Sequence, residues 1–458
     1  MTISDERVKF GLKISVIEGC FAQIHINLTA GLFLTGFALY LGANVFQIGL
    51  LAAIPALLTS FGFLAGILVN KLKERRRPTV LTSGLARGLF LIPAVMLWFN
   101  YKMGIGSFLV LVGIVNGLLT IANNIWIGWM SDLVPKGMRG RYFGIRNTIL
   151  GFVGMVISFS GARLLDYFKG LNQSATGFAL IFSFAVFASI IAAVLLSQQP
   201  DVLLTTKPIT LKQIILNPLT DKNFQRFLRF IIFWYLTSGI ASPFYLVFML
   251  KNLNLPYSTV ALYGIFAGIM GLIFQILWGR AIDKFRSKPV LTINFLCVAF
   301  LPLLWLFPTR HFLLPIWLDA ILTGVFWPGV NLALFNIVLS LSDQEEIKEN
   351  YFAVFTFVTG IGGFISSTVG GFIANLLKNF HITIFGLTFI NFHLLFIFAT
   401  VSRLLSLLFL KQVSEPKAYP TLYALEVMGD YAMRRLSYGK ELFLNTLRFL
   451  KPRQSGGG

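Results

Sequence analysis

The chain has 458 residues, of which 56% are hydrophobic and 12% charged, and a formal net charge of +20. A water-soluble core of this size cannot hide that much apolar surface, which excludes a soluble enzyme, a nucleic-acid-binding protein and a disordered chain and leaves an all-α polytopic membrane protein. The basic residues fall in short clusters between long uncharged runs, as expected of the ends of membrane-crossing helices.

A hydrocarbon core about 30 Å thick needs about 20 apolar residues per helix. Twelve segments meet this, at approximately 13–40, 45–69, 79–99, 106–131, 142–167, 175–197, 227–250, 257–282, 289–308, 312–340, 351–377 and 383–410. The runs are continuous rather than alternating, which argues against transmembrane strands. The first is too long for a signal peptide and is expected to be retained. With the N-terminus inside, 29 Lys and Arg fall on the inner side and 5 on the outer. This bias places both termini in the cytoplasm, in a multi-pass protein of the cell membrane. Residues 198–223 form the longest inner connection and divide the chain into a six-helix bundle, 1–197, and a second bundle, 224–411, followed by a cytoplasmic tail, 412–458.

Ionisable groups inside a span are costly and are functional candidates by default. Segment 1 carries Glu18 and His25, seven apart and therefore on one face. Glu18 is a candidate for proton or ion coupling, with Arg146 of segment 5 at similar depth and Asp319 on segment 10. The competing reading is a structural Glu18–Arg146 ion pair. Arg87, in the middle of segment 3, is too deep to snorkel and needs an internal partner that the sequence does not identify. Arg403, in segment 12, can snorkel inward. Segment 4 places Asn116, Thr120 and Asn123 on one face, with Trp126 adjacent. Segment 7 carries a stripe of Tyr235, Ser238, Ser242 and Tyr245, and Gly239 and Pro243 are expected to bend it. Segment 10 adds Trp327 and Asn331.

The two halves repeat each other. Tyr142, Phe143, Gly151, Gly154, Ser158 and Gly161 recur as Tyr351, Phe352, Gly360, Gly363, Ser367 and Gly370, at a constant offset of 209. The loop beginning Gly279 reads Gly-Arg-Ala-Ile-Asp283-Lys284-Phe-Arg286-Ser-Lys288, and its earlier copy runs from Gly66 through Asn70, Lys71 and Lys73 to Arg75, Arg76 and Arg77. Twelve helices in two six-helix halves, with this basic loop in both, resemble the major facilitator superfamily, whose loop pattern is Gly-x-x-x-Asp-Arg/Lys-x-Gly-Arg-Arg/Lys. Gly279, Asp283, Lys284 and Lys288 fit that pattern; in the first copy Asn70 replaces the acid and Lys73 the second glycine. Two family signatures are missing: segment 4 has Asn116-Gly117 where many proton-coupled members have Arg, and segment 5 has no Gly-Pro-x-x-Gly-Gly run.

The resemblance implies a fold, a cavity lined by helices 1, 4, 7 and 10, and latches formed by the basic loops. The binding set it implies is His25, Asn116, Asn123 and Trp126 from the first half, and Tyr235, Ser238, Tyr245, Trp327 and Asn331 from the second. The implied conformational latch is Asn70, Arg75, Asp283, Lys284 and Arg286. The expected function is secondary active transport of a small organic, amphiphilic or moderately hydrophobic solute by alternating access, with proton coupling. The alternative is a non-transporting membrane scaffold or assembly factor on the same fold. Metal-ligand spacing, phosphate loops and nucleophile–base sets are not seen, so neither an enzyme nor a cofactor is expected. After segment 12, an apolar stripe from Leu422 to Leu450 with interleaved Arg and Lys reads as an amphipathic helix on anionic lipid. The protein is expected to be a monomer with no nucleic-acid partner.

Overall fold

The structure, a computed structural model, describes residues 5–201, 218–342, 348–384, 387–415 and 418–430. Helix 1 runs Asp5–Thr29 and continues as Gly31–Tyr40; helix 2 is Val45–Thr59 followed by Leu64–Leu72; helix 3 is Arg76–Gly88 followed by Leu91–Trp98. Helices 4, 5 and 6 are Ile105–Leu133, Arg139–Gly170 and Ser174–Ser197. Helix 7 begins as Lys222–Ser238 and resumes as Phe244–Val247, ending in the π turn Phe248–Asn252. Helices 8 to 12 are Tyr257–Phe285, Ser287–Leu304, Leu314–Ser342, Lys348–Leu376 and Asn391–Leu410. Among the described residues ten helices are long and apolar enough to cross a membrane, and helix 2, whose two pieces meet at 47°, makes an eleventh.

One expectation is sharpened and one needs correction. The run 227–250, expected to bend at Gly239 and Pro243, is interrupted there: residues 239–243 are turns, because Pro243 lacks a backbone donor and Gly239 costs the helix entropy. Helix 12 begins at Asn391, not at 383. His381–Ile384 and Leu387–Ile390 pair instead as an antiparallel hairpin, with His381 opposite Ile390. Ile382, Thr383, Ile384, Thr388 and Phe389 are β-branched or aromatic, so the segment suits a pleat better than a helix turn. Residues 202–217 of the expected linker lie outside the described residues. The tail is helical over 421–430, and the continuation of its expected amphipathic stripe lies outside them.

The first six helices pack among themselves through pairs 1–6, 1–5, 3–4, 3–6 and 2–4, and the last six through 8–10, 9–10, 9–12, 7–11 and 7–12. Two extensive seams join the sets: helix 2 on helix 11, and helix 5 on helix 8. In the first seam the backbones nearly touch. A Cβ on Gly49 would stand 2.7 Å from the Gly371 Cα, so only glycine allows this approach. Ser60 Oγ then donates to the Phe357 carbonyl at 3.2 Å. Below this point helix 2 bends away, and its Leu64–Leu72 piece packs on helix 4.

Acidic side chains, one local and two from distant parts of the chain, satisfy free N–H groups at helix starts. Asp221 caps helix 7 through Asn223 N at 2.7 Å. Glu415, after helix 12, accepts from Ser287 N and Lys288 N of helix 9 at 3.1 and 2.6 Å. Asp201, after helix 6, accepts from Arg76 N of helix 3 at 3.4 Å. The last two are corresponding places in the two halves, so the repeat extends to how each third helix is anchored.

Candidate functional site

Two adjoining chambers lie between helix 1 and its neighbours. Ile26, Asn116 and Leu119 line both. The first, of about 420 Å³, is mostly aliphatic: Leu34, Ile48, Leu51, Val112 and Val115 face it, with His25 and Phe90 at its wall and Pro243 closing it from helix 7. The second, of about 400 Å³, is polar and carries Glu18, Arg87, Asn123, Trp126 and Arg146.

The polar chamber is built by helices 1, 3, 4 and 5. Arg87 Nη1 lies 3.6 Å from Glu18 Oε1, and Arg146 Nη2 lies 3.9 Å from Glu18 Oε2. All three residues are buried. Arg146 also donates from Nε to the Ser15 carbonyl at 3.3 Å, and its guanidinium sits 4.5 Å above the Trp126 ring. Arg87 Nε and Nη1 and Trp126 Nε1 are buried without a hydrogen-bond acceptor. One carboxylate thus stands between two guanidiniums, a local excess of one positive charge. The partner that Arg87 needed is Glu18. His25 donates from Nδ1 to the Ala185 carbonyl at 3.2 Å and packs edge-on to Phe90, while its Nε2 has no partner.

The structure brings His25, Asn116, Asn123 and Trp126 together with Glu18 and Arg146, and adds Arg87, Gln23 and Asn124 to the same wall. Of the second half, Ser242 of the helix 7 stripe lines the aliphatic chamber; the other candidates lie elsewhere. Tyr245 stacks on Phe396 at 4.8 Å and packs on Trp305, inside its own bundle. Tyr235 packs against Gly362 of helix 11, and Ser238 is buried at the break in helix 7. Trp327 faces Arg403, and Asn331 lines a separate cleft between helices 8 and 10. Asp319 accepts from Tyr263 Oη at 2.6 Å, well away from Glu18 in the fold. Arg403 does not snorkel: it is buried, donates to the Val298 carbonyl at 3.0 Å, and has Trp234 and Trp327 at 5.6 and 5.8 Å. The physical reason is local; two indoles and a carbonyl give its guanidinium a better seat than a long reach to the interface.

The ends of the molecule differ. At the end away from the basic loops, Asp166 of helix 5 accepts from Tyr257 N and Ser258 N, at 2.6 and 2.8 Å, capping helix 8 across the seam. The Tyr257 ring packs on Gly36 of helix 1. At the basic-loop end, Arg75 Nη1 pairs with Asp132 at 2.5 Å and bonds the Gly128 carbonyl, both within the first half. Asn70, Asp283, Lys284 and Arg286 are exposed. Lys73 and Arg286, both at the place of the second glycine of the loop pattern, have φ of 54° and 74°. The backbone therefore keeps the conformation that glycine favours, although neither copy has glycine there. Among the described residues no group of three or more His, Cys, Asp and Glu could hold a metal ion.

A family model described as Major Facilitator Superfamily matches residues 19–367. Among solved structures, a mutant of the nucleoside transporter NupG superposes with a TM-score of 0.68 at 13% identity, covering 89% of this chain and 100% of that one. A bacterial homologue of the iron transporter ferroportin in an inward-facing state gives 0.66 at 12% identity, covering 90% and 100%. A bacterial metal transporter gives 0.62 at 13% identity, covering 91% and 100%. At such identities these likenesses concern the fold. No curated protein matches the chain.

Proposed function

Because this chain belongs to the Major Facilitator Superfamily, we propose that it moves a small amphiphilic organic solute through the two chambers beside helix 1, by alternating access. The observation that carries this is the adjacency of an aliphatic chamber and a charged one, sharing Ile26, Asn116 and Leu119. A sugar or inorganic ion has no use for the first, and a hydrocarbon has none for the second. The cross-seam bonds of Asp166 lie at one end and the unengaged loop residues Asp283 and Lys284 at the other. That distribution supports an arrangement closed outside and open toward the basic loops, which the charge bias puts in the cytoplasm. Glu18, the carboxylate of the polar chamber, is the group we assign to ion coupling.

The test is counterflow in liposomes holding the purified full-length protein, with a panel of amphiphilic solutes of equal body and different head groups. Exchange of at least one over protein-free liposomes is expected. Exchange of none, together with exchange of sugars or inorganic ions, would overturn the reading.

A further inference from the structure

Resting on that reading, we infer that the solute is an organic monoanion, its head group taken by Arg87 and Arg146 and its apolar body by the aliphatic chamber. Three observations lead there. The chamber holds two guanidiniums against one carboxylate, and a buried charge left without a counter-ion is costly in a membrane. A monoanion would bring the site to neutrality. Next, the Glu18 contacts at 3.6 and 3.9 Å are longer than the roughly 2.7–2.9 Å of a charge-assisted hydrogen bond. Glu18 thus screens the two arginines through long contacts, and Arg87 Nε stays without a partner. Finally, Arg87 Nε and Nη1 and Trp126 Nε1 are buried N–H groups without acceptors, on residues that line the same chamber. Buried donors in native proteins are nearly always paired, and a carboxylate or a phosphate oxygen is the acceptor this set lacks.

The geometry also gives the ligand's shape. The chambers follow helix 1 from Glu18 to Gly31, about 20 Å of helix rise. The head sits toward the basic-loop end and the body runs toward Leu34 and Ile48. Glu18 then has a definite role as the internal anion that shares the arginines with the solute's head group.

The experiment uses the full-length protein in nanodiscs of zwitterionic lipid, so that an anionic lipid head group is not a competing source, titrated with phenylbutanoate, phenylbutanol and phenylbutylamine. The bodies match and only the head charge differs. The carboxylate is expected to bind at least about tenfold tighter than the alcohol or the amine. Arg87→Gln should weaken carboxylate binding about tenfold or more, and Glu18→Gln, by removing the internal anion, should tighten it. This opposite sign separates the proposal from a merely structural ion pair, for which both variants would weaken binding. If Arg87→Gln fails to fold, the head-group series on the wild-type chain and Glu18→Gln decide. Equal binding of the alcohol, or tighter binding of the amine, overturns the anion while leaving an amphiphilic solute. Binding of none of the three overturns both.

Discussion

The two halves repeat each other in sequence, yet they house buried charge differently. In the first, Glu18, Arg87 and Arg146 line a chamber. In the second, Asp319 is bonded to Tyr263, and Arg403 is boxed by Trp234, Trp327 and the Val298 carbonyl, with its Nε unpartnered but neither chamber beside it. Membrane-buried charge is tolerated where it faces a cavity or where protein surrounds it completely, and this chain uses one solution per half. The lesson is that an ionisable residue in a span marks a candidate, and that its wall, not its depth, decides its use. The largest predicted effect follows. Arg403→Ala should cost about 3 to 5 kcal/mol of stability, since it empties a closed box and strands its partners. Arg87→Ala should cost less, because water from the chamber can take the vacated place. Thermal unfolding of both variants in the same nanodiscs checks the order; equal losses would break the comparison.

The seams differ in the same spirit. Helix 11 meets helix 2 through Gly360, where a Cβ would come within 2.6 Å of the Ala56 carbonyl oxygen. Its repeat partner Gly151, on helix 5, has nothing within 4 Å of the same position. A duplicated glycine has kept a packing role in one half only. Gly360→Ala should therefore destabilise by about 1 to 3 kcal/mol, whereas Gly151→Ala should stay within about 0.5 kcal/mol of wild type or gain slightly. A matching loss at Gly151 would show that helix 5 packs more closely than this arrangement has it.

The other seam, helix 5 on helix 8, depends on a polar contact. Asp166→Ala removes a carboxylate from the start of helix 8 and, on the proposed alternating access, should weaken the seam at the end away from the basic loops by about 0.5 to 2 kcal/mol, a shift of about two- to thirtyfold in the balance of states. Labelling of a single cysteine placed near Tyr257 should become faster by that factor. An unchanged rate would mean that the helix 2 seam alone holds the outer end.

Much of the fold was legible in the sequence, because a bilayer imposes one length on every span. Glycine and Tyr-Phe spacing gave away the repeat. The break in helix 7 was also readable, since Gly239 and Pro243 act through the backbone itself. The residues that line the two chambers were legible mainly on helices 1 and 4, with Ser242 from the helix 7 stripe. Helical spacing put Glu18 and His25 on one face and gave the depth of Arg87, but depth says nothing of direction around the helix axis, so the Glu18–Arg87 contact stayed hidden. Tyr245 and Trp327 show the reverse error. An aromatic ring with a polar tip suits a ligand wall and a packed core equally well, and only the neighbours, Phe396 for one and Arg403 for the other, distinguish them. The hairpin at 381–390 escaped because an apolar run beside a span reads as more span.

The smallest effect concerns a feature that the halves share. Lys73 ends helix 2 in the left-handed region, at φ 54° and ψ 24°, and Arg286 follows helix 8 at φ 74° and ψ 173°. The first is a conformation that an L-residue reaches at a cost of about 1 kcal/mol; the second belongs to a region populated almost entirely by glycine. Both side chains are exposed, so glycine would remove the backbone strain without opening a cavity. Glycine also raises the entropy of the unfolded chain, which offsets part of the gain. The net for Arg286→Gly should be stabilisation by about 1 kcal/mol, and for Lys73→Gly about half that or less. Unfolding temperatures measured side by side would test the order. A loss at Arg286 would mean that its guanidinium makes a contact worth more than the strain it imposes, and would restore the loop of the second half as an engaged latch.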